Sequence, residues 1–270
     1  MLASGFKVAG EVAGFAPATA RIGLRAMRES NLILPLRAPK TMLNVPVGGA
    51  RRFAAQQWSL SRLRAVGESL EVKLNDVVLA MCAGALRSYL IDQNALPDQP
   101  LIAMVPVSTR QAGADSEGGN AVTSILCNLG TDQRDVERRL AAVVDSMKQS
   151  KAVMRELSPM QALGYGAAVM APLLFSPLPG FVRYTTPPFN LIISNVPGPK
   201  TDMYWNGARL DGVYPASVAL DGQALNITVA TNADQINFGL VGARREVPSL
   251  QRLLTHLDNA LEELEKLADC

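Results

Sequence analysis

Apolar and polar positions follow two rhythms along this chain, and the changes between them mark its elements. Residues 52–60 alternate with the two-residue period of a half-buried strand, and Ser59 or Ser61 then caps a short helix to residue 66. From Asn75 the period lengthens to that of a helix, with Val78, Met81, Ala85 and Tyr89 on one stripe. Residues 101–107 and 121–129 are compact apolar runs of strand length, on either side of a polar, glycine-bearing loop at 109–119. An amphipathic helix is expected over 132–154, and Ser158-Pro159 starts another, rich in small residues. Residues 207–214, 225–231 and 236–241 form a meander, with turns at Asp221-Gly222 and at 232–235. After Val247-Pro248-Ser249 comes a last helix, with Leu250, Leu253, Leu254, Leu257, Leu261 and Leu264 on one face. Strands and helices in this order predict an α+β fold, a two-layer α/β sandwich with a mixed, largely antiparallel sheet and helices on one side.

One stretch organises the rest. In FNLIISNVPGPK, residues 189–200, Leu191-Ile192-Ile193 reads as a strand buried on both faces. Ser194 and Asn195 stand where the run ends, and Pro197-Gly198-Pro199 breaks it at once, because proline has no N–H to give a ladder. Such a strand delivers polar side chains to its own tip, a common way to present binding or catalytic groups. An ordinary Pro-Gly turn after a buried strand has the same pattern.

Residues 1–50 form a different region. Thr19 to Ser30 predicts a short helix with Arg21, Arg25 and Arg28 on one side, a solvated face or a contact for anionic lipid. Pro35, Pro39, Pro46, Gly48 and Gly49 then predict an extended connector. The expected division is a crossover segment at 1–50 and one domain at 51–270.

Composition narrows the function classes. Of the 270 residues 48% are hydrophobic and 19% charged, which suits a packed globular chain, and the net charge of +2 gives no case for nucleic acid. Cys82, Cys127 and Cys270 form no CxxC, and a single histidine leaves no zinc site, so no metal or other cofactor is expected. There is no stretch of about 18 uninterrupted apolar residues, and no signal-peptide core at the N-terminus. The sequence also lacks GxSxG, a Walker loop and HExxH. His256 lies in the last helix with no triad partner at a suitable spacing, so it is expected to flank the helix rather than act as a base. Asn75 is expected to cap its helix, and Asp76 to complement the helix dipole from the first turn. Ala162, Gly164, Gly166, Ala167, Ala168 and Ala171 leave room beside their helix for a neighbouring backbone or a slender apolar ligand.

Taken together, Leu74-Asn75-Asp76-Val77-Val78-Leu79-Ala80 with Gly84-Ala85-Leu86-Arg87, Val105-Pro106-Val107-Ser108 with Arg110, Ser194-Asn195-Val196-Pro197-Gly198-Pro199 and Asn237-Phe238-Gly239-Leu240 resemble the C-terminal half of the bacterial wax ester synthase/diacylglycerol acyltransferase family. The likeness covers about residues 51–268. It implies the CoA-dependent acyltransferase (chloramphenicol-acetyltransferase-like) fold, two α/β halves with a tunnel between them. It also implies transfer of a long-chain acyl group from acyl-CoA, as substrate, to a fatty alcohol or diacylglycerol. The family's base is a histidine of a His-His-x-x-x-Asp-Gly motif in the N-terminal half, and this chain has no His-His pair. The resemblance therefore implies a partner half that carries HHxxxDG, with no turnover by this chain alone. It further implies a cytoplasmic protein with peripheral contact to a membrane or lipid inclusion. Ser194 and Asn195 become candidate contacts for the oxyanion or the acceptor hydroxyl, and Asn75, Asp76, Gly164, Ala168, Pro197 and Gly198 candidates for the tunnel or substrate. A non-catalytic lipid-binding or scaffold module of the same fold is the alternative.

Overall fold

The computed structural model describes residues 36–108 and 122–270. In chain order these form β1 (Arg51–Ser59), α1 (Leu60–Ser69), α2 (Leu74–Asp92), β2 (Ile102–Ser108), β3 (Val122–Asn128), α3 (Val136–Glu156), α4 (Pro159–Leu174) and α5 (Phe181–Tyr184). After these come β4 (Leu191–Val196), β5 (Tyr204–Trp205), β6 (Ala208–Arg209), β7 (Leu225–Asn232), β8 (Gln235–Ala243) and α6 (Arg252–Leu267). The expected helix at 19–30 and loop at 109–119, with Arg110, lie outside the described residues.

Six strands make one mixed sheet in the order β1-β8-β7-β4-β2-β3. The three pairs β1–β8, β8–β7 and β2–β3 are antiparallel, whereas β4 runs parallel to both of its neighbours, β2 and β7. Side chains alternate between two packed faces. Ala103, Val105, Ile125, Cys127, Leu191, Ile193, Ile227, Val229, Phe238 and Leu240 join the main core with α1, α2, α3 and α6. A helix apolar all round must be buried all round, and α2 is the centre of this layer, buried continuously from Asp76 to Leu86. Among the described residues α2 alone is long and apolar enough to cross a membrane by length and composition, and most of it is buried here. The leucine stripe of α6, with Leu253, Leu257, Leu261 and Leu264 buried, closes over α2. Each such leucine contributes roughly 1.5–3 kcal/mol by leaving water.

The helices are not confined to that side. Ile102, Met104 and Leu126 point the other way, into a smaller cluster with Val169 and Phe189. Helix α4 therefore adds a layer over β2, β3 and β4 on the opposite face. It starts with the full capping box between Ser158 and Gln161. Gly166 lets it approach β3 closely, since a Cβ there would stand 3.1 Å from Thr123 Oγ1.

Three boundaries move for local reasons. Helix α3 starts at Val136, with Asp135 Oδ1 accepting from the Arg138 N–H, so residues 132–134 belong to the turn before it. Helix α6 starts at Arg252 rather than directly after Ser249. Ser59 occupies the cap position of α1, but its hydroxyl meets Ser61 Oγ at 2.7 Å instead of a backbone N–H. The expected strand at 207–214 is absent from the main sheet. Residues there form only the small β5–β6 hairpin, with Asn206 and Gly207 both at positive φ, as a type I′ turn requires. Because β4 and β7 are parallel, the chain between them must travel back along the sheet. It does so without a helix, and Gly239 makes room for the Pro215 carbonyl where it crosses.

Residues 36–50 contain no helix or strand, in keeping with an extended connector, yet they are stitched into the fold. Asn44 Nδ2 donates to the carbonyls of Phe189, Asn190 and Gly222, while Asn190 Nδ2 donates to Asn44 Oδ1 and the Pro39 carbonyl. Leu43 is fully buried.

Candidate functional site

The site grows from the end of β4. The β2–β4 ladder stops at the pair Met104↔Ile192, whereas the β4–β7 ladder continues to Val196↔Ala230. From Ile193 onward β4 is thus paired on the β7 side only. Pro106, without an N–H, lies on β2 just past the point of divergence. The tip is fastened from the other side. Gly198 N donates to Thr231 Oγ1 at 2.9 Å, and Ala233 N donates to the Pro199 carbonyl. Gly198 is needed for close approach rather than for a positive φ, because a Cβ there would collide with the Thr231 carbonyl.

Strand alternation separates the two tip residues. Asn195 shares a face with Leu191 and Ile193, toward α2, whereas Ser194 shares the face of Ile192, toward α4. Both are half-buried. Asn195 Nδ2 donates to Asn75 Oδ1 at 3.4 Å, a long hydrogen bond that joins residues 120 apart in sequence. Asn75 is therefore not the helix cap. Lys73 holds that position, because Leu74 must already be helical to pack its side chain on the main core. Asn75, released from capping, turns its amide to the strand tip.

Asp76 sits in the first turn of α2, as expected for the dipole, but it is 6% exposed and its Oδ1 has no hydrogen-bond partner among the described residues. Burial raises its carboxyl above the usual carboxylate range, against the opposing pull of Lys151 and Lys73. Two nearby thiols stay inert. Burial pushes Cys82 up to about 12 and raises Cys127 further, with the Asp76 charge adding to the effect on Cys127.

The structure thus brings Asn75 and Asn195 together, with Pro197 and Gly198 forming the exit of the strand, whereas the charges that act on the neighbouring Asp76 are those of Lys151 and Lys73. It does not bring Gly164 or Ala168 there. Both lie on α4, and Ala168 lines an open, mainly apolar groove of about 550 Å³ with Leu36, Pro172, Phe175 and Phe181. His256 is remote as well. Its Nε2 stands 3.1 Å from Asp92 Oδ2 at the far end of α2, about 25 Å from Asn75 at 1.5 Å of rise per residue. Thr231 and Asn44, which hold the tip and the start of β4, carried no signal in sequence, since each acts on a segment far along the chain. Among the described residues no group of acidic, cysteine or histidine side chains could hold a metal ion.

The chain matches two family models, the WS/DGAT C-terminal domain over residues 118–265 and the wax ester synthase/diacylglycerol acyltransferase catalytic domain over residues 1–78. The two matches take in residues 1–50, most of the Leu74–Ala80 motif and the Ser194–Pro199 and Asn237–Leu240 motifs, and leave residues 79–117 between them. A Mycobacterium tuberculosis protein named "Probable diacyglycerol O-acyltransferase tgs2" is 54% identical over 261 residues, 97% of this chain and 58% of that protein. The O-acyltransferase WSD of Acinetobacter baylyi is 45% identical over 238 residues, 88% of this chain and 51% of that protein. The solved wax ester synthase/diacylglycerol acyltransferase of Marinobacter aquaeolei VT8 superposes with a TM-score of 0.75 at 42% identity, covering 94% of this chain and 57% of the other. The starter condensation domain of rhizomide synthetase, at 14% identity and a TM-score of 0.53, shares the fold alone. The chain therefore spans little more than half the length of these relatives. Within that span the chain belongs to the wax ester synthase/diacylglycerol acyltransferase family.

Proposed function

We propose that this chain is the C-terminal part of an acyl-CoA-dependent O-acyltransferase that esterifies a long-chain fatty alcohol or diacylglycerol. The supporting observation is the pair Asn195 and Asn75, joined at a strand tip where one side of the sheet opens. In the reaction a base removes the proton of the acceptor hydroxyl, whose oxygen attacks the thioester carbonyl. The tetrahedral oxyanion collapses and expels CoA thiolate, which takes up the proton. The Asn195 amide has a second N–H beyond the one given to Asn75, and a fixed donor aimed at an oxyanion is worth several kcal/mol. Ser194, on the opposite face, cannot serve the same oxygen and is the candidate contact for the acceptor hydroxyl. Asp76 and the Pro197-Gly198 exit border this region as substrate contacts. Gly164 and Ala168, with the groove beside Phe175, are assigned to the acyl chain. The exposed Leu163, Leu174, Phe175 and Leu178 of the α4–α5 region support a peripheral contact with a membrane or lipid inclusion of the cytoplasm. Acyl-CoA enters as substrate and the chemistry calls for no cofactor.

The base must come from elsewhere, since His256 is remote from the tip. The reading assigns it to a histidine of an N-terminal half that carries HHxxxDG, so this chain alone releases no CoA from palmitoyl-CoA with hexadecanol or diacylglycerol. Supplied with that half it turns over, and Asn195→Ala lowers turnover on the order of a hundredfold with little change in melting temperature. Near-normal turnover of both Asn195→Ala and Ser194→Ala would reduce the tip to a structural turn. The groove also suits a non-catalytic lipid-binding module. That reading gains if palmitoyl-CoA binds the chain but no half restores turnover.

A further inference from the structure

Four arginines stand together at one end of the sheet. Arg51 and Arg52 open β1, opposite Ala243 and Gly242 at the end of β8, and Arg244 and Arg245 follow β8 at once. The Arg244 N–H donates to the Ala50 carbonyl at 3.0 Å, which holds the two strand ends side by side. All four arginines are exposed, and none forms an ion pair among the described residues. Of the acids nearby, Asp221 Oδ1 accepts from the Val47 N–H and Glu246 is half-buried. The end of the sheet therefore carries an excess of positive charge.

Apolar surface adjoins this charge. Arg51 donates from Nε and Nη2 to the Ala219 carbonyl, and Ala219 is flanked by the exposed Val218 and Leu220. Just beyond them, a Cβ at Gly222 would stand 3.5 Å from Val182 of α5. Tyr184 of α5 is 79% exposed and follows Arg183, whose carbonyl accepts from Lys40 Nζ. Contacts thus link one band from Arg244 to α5, with cations along it and exposed apolar side chains between them. Exposed apolar groups rimmed by charge mark an interaction surface.

We propose that this band docks on an anionic phospholipid surface. The arginines meet head-group phosphates, and Val218, Leu220 and Tyr184 enter the acyl boundary. The proposal rests on the peripheral lipid contact put forward above and names the charge of the lipid it needs. Arginine suits the role because its planar guanidinium offers a phosphate two parallel N–H donors. A nucleic acid would use the cations alone and leave the apolar side chains in water. An anionic bilayer accounts for both.

The test is flotation of the full chain with vesicles of phosphatidylcholine, alone or with about one lipid in three replaced by phosphatidylglycerol. At about 0.1 M salt the chain is expected to float with the second kind only, and about 1 M salt should release it, because screening then shortens to about 3 Å. Arg52→Glu with Arg244→Glu and Arg245→Glu should lower partitioning at least on the order of a hundredfold, since each cation near such a surface is worth about fivefold. Arg134→Glu with Arg138→Glu and Lys148→Glu makes the same change in net charge on and just before α3, which packs on β3 at the other edge of the sheet, and should keep most of the binding. Val218→Ser with Leu220→Ser should lower partitioning about tenfold and leave retention on heparin as in the parent. The proposal falls if phosphatidylcholine alone binds as well, or if the α3 variant loses as much as the arginine variant. It falls also if the Val218 and Leu220 variant floats as the parent does, which leaves a site for some other polyanion. If the arginine variant fails to fold, the lipid and salt comparisons on the parent still decide. Turnover with the N-terminal half on detergent-dispersed substrate should be unchanged in the arginine variant, so loss of docking and loss of catalysis are read separately.

Discussion

At Asp76 the chain keeps a carboxylate where its own solvation is lost. Folding raises this carboxyl, so the folded chain holds its proton more tightly than the unfolded one. The stability it contributes is therefore present below the unfolded carboxylate range and is lost as pH rises through the folded value. Asp76→Asn should raise the melting temperature at pH 8, and the advantage over the parent should close as pH falls toward 4. Thermal unfolding followed by circular dichroism at the two pH values decides this, and an equal difference at both would remove Asp76 as the cause.

At the scale of elements, glycines show which approaches are obligatory. Gly198 seats the exit of β4 against Thr231, where a side chain has no space. Gly198→Ala should lower stability by about 1–3 kcal/mol through overpacking. Gly48, in the extended segment before β1, meets nothing within 4 Å and has no positive φ. Gly48→Ala should be neutral or stabilise by about 0.4–1 kcal/mol, through the unfolded chain. Urea midpoints of the two variants check the contrast, and similar losses in both would show that the Thr231 contact does not decide it. The exit of the strand is then a fixed structure, which a site on its tip requires.

For the whole molecule the question is where the folding unit begins. Residues 36–50 have no regular structure, but Asn44 spans three carbonyls at the start of β4 and before β7. Asn44→Ala should cost roughly 1–3 kcal/mol, because it leaves buried acceptors unpaired. A chain that starts at Arg51 should lose more than that, since it also loses the buried Leu43. Denaturant unfolding of both variants measures this. If the truncated chain is as stable as the parent, the first fifty residues are a connector and nothing more.

The sequence by itself determined what depends on neighbours a few residues away. The Leu191–Ile193 run, the leucine stripe of α6, the Ser158 start of α4 and the Asn232–Gln235 turn were legible because each satisfies a local period or backbone demand. The motif order also carried the family. Tertiary structure decided what depends on distant partners. That Asn75 faces Asn195 rather than capping α2 follows from Leu74 packing on a core built by other elements. Asn195 and Ser194 serve opposite faces because β4 is paired with β7 in that register. The parallel pairing of β4 with β7 turned an expected strand at 207–214 into a crossover, and α4 took the second face because Ile102, Met104 and Leu126 needed a cover. Local periodicity specifies an element and its buried stripe; which stripe meets which, and so which side chains converge, is settled only by long-range packing.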